Sequence, residues 1–198
     1  MDSLEQKIRK TFIKNGLLLG GILLALSIFS FYFITTISKS PVLFVAGPII
    51  FTLVIPIIVV VIICYYGRKK IGGYWTFKQA TTGIFIMFLI GYAIQIIGRD
   101  LIFAKLVEPH MIEKTEAAFM DASAAIRKQP GVNQQQIDKN VQDIRKNFDN
   151  EKNGTIGKTV QDIVISILFI FVLALIFAAL FKREAPLYAP GIDDGVNS

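Results

Sequence analysis

The sequence predicts an all-α integral membrane protein with four transmembrane helices and an outward amphipathic helical hairpin between the third and fourth. Three observations predict it. First, 53% of the 198 residues are hydrophobic and the mean hydropathy is +0.55, above the ~45–50% apolar share of soluble domains. Second, this excess is clustered in four nearly charge-free runs, Leu17 to Ile37, Val42 to Tyr66, Thr81 to Gly98 and Ile163 to Phe181. Each run is about 18 to 25 residues long, enough as a helix to cross a hydrocarbon layer of about 30 Å. Third, Lys and Arg crowd the ends of the runs, the pattern that orients helices in a bilayer. That distribution turns the net charge of +6 away from nucleic acid and toward membrane topology.

The spans are placed at about 17–37, 42–66, 79–103 and 160–181, in one domain covering 1–184. The first is preceded by Lys7, Arg9, Lys10 and Lys14. Its apolar run is too long for a secretory signal, and Ser30-Phe31-Tyr32-Phe33 is too bulky for a cleavage site, so it stays as an anchor. Only Lys39 lies in the short turn to the second span, whereas Arg68, Lys69, Lys70 and Lys78 follow the second span and Lys182 and Arg183 follow the fourth. Both termini are therefore expected inside the cell, in a multi-pass protein of the cytoplasmic membrane.

The stretch YYGRKKIGGYWTFKQA, residues 65–80, reads as the inner loop between the second and third spans. Arg68, Lys69, Lys70 and Lys78 supply the topogenic charge and can touch anionic lipid headgroups. Tyr65, Tyr66, Tyr74 and Trp75 match an interfacial aromatic belt. Gly72-Gly73 frees the turn, and Thr76 with Gln79 forms a capping box for the third helix. A phosphate loop would need G-x-x-x-x-G-K-[ST] after a strand, and neither is present.

Within the spans, Gly16 and Gly20 on the first helix and Gly83, Gly91 and Gly98 on the third form small-residue seams. These seams either join the protein's own helices or form a homo-oligomer interface. Pro48 and Pro56 interrupt the second helix. Pro56 frees the carbonyl of Thr52, whose hydroxyl can compensate locally. On the third helix Tyr92, Gln95 and Arg99 share one face, with Asp100 adjacent and Asp162 opening the fourth span. Measured from Ala80, Arg99 lies about 28 Å along the helix, at the outer edge of the hydrocarbon. There it either anchors the helix by snorkelling or pairing with Asp162, or lines a polar vestibule.

The outward segment, about 105–158, reads as two helices. Ile112, Phe119 and Ile126 recur at intervals of seven, Pro130-Gly131 turns the chain, and Asn133 with Gln136 caps a second helix carrying Ile137, Val141, Ile144 and Phe148. Nine Lys/Arg against eight Asp/Glu between Lys105 and Lys158 favour a water-facing hairpin. Asn153-Gly154-Thr155 is a formal glycosylation sequon. The tail 185–198 reads as disordered.

Catalytic chemistry is not signalled. His110 is the single histidine and Cys64 the single cysteine. His110 with Glu113 and Glu116 falls short of a zinc set, no triad partners are evident, and Cys64 reads as an apolar filler. No enzyme activity, cofactor or metal is expected.

The order of the short motifs carries a resemblance. A basic start and two close apolar helices precede GRKKIGGYWTFKQATTGIFI, residues 67–86. A third helix follows, then LVEPHMIEKTEAAF, a charged helical stretch, and a last helix ending FKRE. Over roughly residues 7–184 this resembles the bacterial four-helix membrane family known as domain of unknown function 4199. That family shows a glycine and basic loop, an aromatic re-entry with a lysine like Lys78, and a turn like Glu108-Pro109 to Lys114. The resemblance implies a four-span topology in a bacterial inner membrane and assigns no activity or site residue. The sequence reading is thus a non-enzymatic interaction or accessory subunit, alternatively a small oligomeric transporter or channel subunit. Its expected partners are membrane lipids and either further copies of itself or another membrane protein.

Overall fold

The computed structural model describes residues 3–38, 40–131, 133–153 and 155–184 and is all-α. Lys39, Gly154 of the sequon and the tail 185–198 lie outside the described residues. Helix α1 (Leu4–Tyr32) ends in a π-helical turn (Phe33–Ile37). The second span is α2 (Pro41–Ile49), a π turn (Ile50–Val54) and α3 (Ile55–Lys70). The third is α4 (Phe77–Gln95) running into a π segment (Ile96–Val107). Helices α5 (Met111–Arg127) and α6 (Gln134–Lys152) follow, and α7 (Ile156–Phe181) closes the chain.

Four helices are long and apolar enough to cross a membrane: Leu4–Ile37, Val42–Lys70, Phe77–Val107 and Gly157–Phe181. The first starts well before the apolar run, because Ser3 caps it, accepting from the Gln6 amide, and its first turns tolerate charge. Hydropathy marks the lipid-facing part of a helix and not its ends.

Close backbone approach sets the packing of the spans. Lipid tails are as apolar as leucine, so helix association rests on tight contact instead of escape from water. Gly16 lies against Ile90, Gly20 against Ile94, and Gly98 against Leu24. The constant offset makes α1 and the third span parallel neighbours, so these glycines serve the protein's own bundle. Helix α7 runs antiparallel to α4, its last residue Phe181 meeting Trp75 just before α4 begins, and Phe171 and Phe177 pack on Phe85 and Phe88. The second span meets α1 where Gly47 admits Phe33 and Gly67 admits Phe12.

The main core lies at the basic end of the bundle. It joins Ile8, Phe12 and Leu19 to Val60, Ile63, Cys64, Trp75, Ile84, Met87, Ala174 and Ala178. A smaller cluster of Phe31, Phe103 and Met111 closes the opposite end. At that end α5 and α6 form an antiparallel pair. Arg127 pairs with Asp138, and Lys152 Nζ meets Glu116 Oε2 at 2.7 Å. Gln134 donates to the Arg127 carbonyl at 2.9 Å. Asn133 accepts from the Gln136 amide as the cap of α6. The apolar stripes are half-buried, with Phe119, Ile126, Ile137, Val141 and Ile144 lining a shared space with Phe44 and Val45 of α2.

Candidate functional site

Two constellations emerge from this packing. One is the turn after the second span. Arg68, Lys69 and Lys70 sit in the last turn of α3, where cations complement the helix dipole. Gly72 and Gly73 adopt φ of 114° and 85°, a left-handed turn open to glycine. The Thr76–Gln79 capping box forms on both sides. Tyr65, Tyr66 and Tyr74 are exposed, and Lys69 Nζ lies 4.5 Å from the Tyr65 ring centroid.

Trp75 departs from the belt expectation. It is only 2% exposed and stacks on Phe12 at 5.2 Å. Its indole donates to the Phe181 carbonyl at 2.7 Å, and its backbone exchanges hydrogen bonds with Arg183. Arg68 donates to the same Phe181 carbonyl at 3.4 Å. The last carbonyls of α7 have no intrahelical donors, and this turn supplies them. No local signal in the sequence links residue 75 to residue 181.

The other constellation lies between the first three spans. Leu23 and Ser27 of α1, Phe51, Thr52 and Pro56 of the second span, and Gln95 and Arg99 of the third enclose a crevice of about 220 Å³. Backbone irregularity shapes it. Pro56 offers no amide to the helix behind it, and the π turn Ile50–Val54 absorbs the mismatch, Ile55 N–H bonding to the Ile50 carbonyl. The Thr52 hydroxyl donates to the Pro48 carbonyl at 2.6 Å; the expected compensation at Thr52's own carbonyl is not what forms. The third span switches to π geometry directly after Gln95.

Gln95 lines this crevice, and its amide Nε2 is buried without a hydrogen-bond partner. Among the described residues Arg99 forms no ion pair, and the expected pairing with Asp162 is not made. Both residues are exposed, Asp162 on α7 and Arg99 on the third span, where it lines the crevice with residues of α1 and the second span. Tyr92, on the same helix, is half-buried and does not line the crevice. Depth also differs from the count along the third helix alone. Since Gly98 meets Leu24, Arg99 is level with Ala25, near the middle of the charge-free run Leu17 to Ile37. Leu17 is level with Gly91 on the same offset, so the third helix starts about three turns lower than a length count from Ala80 assumes.

At the far end Glu108 ties the hairpin to the bundle. It accepts from the Tyr32 hydroxyl at 3.1 Å and from Lys114 Nζ at 2.5 Å. The hydrogen bond from Lys114 holds the Glu108 carboxyl below its ordinary range, with Tyr32 adding to it against some desolvation. His110 Nδ1 stands 4.0 Å from Glu113 on an exposed surface.

No curated protein and no solved structure matches the chain. Residues 14–183 match the family model described as protein of unknown function (DUF4199). That match takes in all four spans, the turn that clasps α7, the crevice and the hairpin. The chain is a multi-pass membrane protein belonging to this family.

Proposed function

We propose that this protein is a non-enzymatic interaction subunit of a bacterial inner membrane, with both termini in the cytoplasm and α5–α6 facing outward. The α5–α6 pair carries this reading. It is a braced module with its own polar links, Arg127–Asp138 and Glu116–Lys152, and a fixed root at Glu108. A braced helical pair spends little conformational entropy on engaging a partner. The topogenic cations Arg68, Lys69, Lys70 and Lys78 meet anionic headgroups on the inner side.

The test is gentle extraction from native membranes, with the stoichiometry of co-purifying proteins measured. A partner at fixed ratio is expected, lost when residues 110–150 are replaced by a short flexible linker. A self-oligomer with no partner would sink the interaction reading. The crevice favours a second reading, a transporter or channel subunit, because interrupted helices with polar linings form substrate sites in transporters. Flux assays on Gln95 and Arg99 variants would then decide.

A further inference from the structure

We propose that the crevice at Gln95 and Arg99 is a binding site for a small monocarboxylate with a short apolar body. The inference names what the crevice holds and does not depend on α5–α6 recruiting a partner.

Charge comes first. Arg99 brings a guanidinium cation to a level matching the middle of the first span's apolar run. A cation at membrane depth is costly unless it is paired. Its sequence neighbour Asp100 makes no ion pair with it among the described residues. Asp162 makes none either. The ligand that balances the site therefore carries one negative charge.

Donor chemistry comes second. Gln95 lines the crevice beside Arg99, and its amide Nε2 is buried with no hydrogen-bond partner. Guanidinium offers a planar fork that fits both oxygens of a carboxylate, and the amide supplies a further donor. The Thr52 hydroxyl has already given its proton to Pro48. A phosphate would bring a second negative charge, and the lining contains no second cation.

Size and polarity complete the description. About 220 Å³ falls below the ~300–1,000 Å³ of sites for drug-sized molecules. Leu23, Phe51 and Pro56 are apolar walls, and Ser27 adds a hydroxyl. The apolar walls suit a chain of a few methylenes.

The test uses the full chain in phosphatidylcholine nanodiscs, with empty nanodiscs as the control for partition into lipid. Butyrate labelled with ¹³C at its carboxyl is titrated and followed by NMR, beside butyramide, butylammonium and inorganic phosphate. Saturable butyrate binding is expected, with butyramide at least ~10-fold weaker, the span of one charge-assisted hydrogen bond. R99Q should lose at least ~10-fold, Q95L about 3- to 10-fold, and D100N nothing. Equal binding of butyrate and butyramide, tighter binding of phosphate, or undiminished binding to R99Q overturns the proposal. If R99Q does not fold, Q95L and the ligand series on the unaltered protein decide. No saturable butyrate binding to the unaltered protein, beside an intact stoichiometric partner, would refute the inference and leave the interaction reading standing.

Discussion

Replacing Gly20 by alanine tests the packing that fixes the crevice's depth. A Cβ built on Gly20 lies 2.5 Å from Ile94 Cδ1 and 2.8 Å from Ile94 Cβ. The Cδ1 atom can rotate away. The Cβ atom is tied to the helix backbone, so the two helices must separate by several tenths of an ångström. Overpacking of this kind costs about 1–3 kcal/mol. The next residue supplies an internal control. Gly21 has nothing within 4 Å of its added Cβ, so Gly21→Ala should be neutral or slightly stabilising through helix propensity. Gly91→Ala should fall between them, its nearest atom being 3.7 Å away. The assay is sodium dodecyl sulfate titration of purified protein in dodecyl maltoside, followed by circular dichroism. The expected order of stability is Gly21→Ala, then Gly91→Ala, then Gly20→Ala. Equal stability of Gly20→Ala and Gly21→Ala would refute the parallel register and the mid-span level of Arg99 built on it.

Trp75→Phe keeps the stack on Phe12 and removes the donor to Phe181. A loss of about 1 kcal/mol is expected in the same titration, and the end of α7 should exchange amide hydrogens faster. Wild-type exchange there would show the clasp to be unimportant. At the far end, the lowered Glu108 pKa means that its contribution is present above the unfolded carboxylate pKa and fades as pH falls through the lower folded value. Acidification below the ordinary carboxylate range should raise hydrogen exchange at the start of α5, and Glu108→Gln should remove that pH dependence. Lys152 has the opposite sign. Its hydrogen bond to Glu116 raises its pKa, so the brace between α5 and α6 holds below the unfolded lysine pKa and weakens as pH rises through the folded value.

The helices were legible because their signals are local. An apolar run of bilayer length, a Thr76–Gln79 capping box, and Asn133 before Gln136 each involve residues within a few turns. The stripes of α5 and α6 were legible for the same reason, since seven-residue spacing marks a face without knowledge of what covers it. The polar face at Gln95 and Arg99 was also visible as residues.

What the tertiary structure decided was depth and company. Counting along the third helix puts Arg99 at the lipid edge; the glycine contacts with α1 set it level with Ala25. Asp162 looked like its partner because both begin or end a span, yet the two make no ion pair among the described residues and Asp162 is not among the residues of the crevice that Arg99 lines. Trp75 looked like an interfacial ring because it sits beside three tyrosines, yet it closes the end of a helix more than a hundred residues away. Hydropathy records which residues tolerate lipid. It carries no information on axial register or rotation between helices, because those follow from which side chains interlock, and that is a property of pairs distant in the chain.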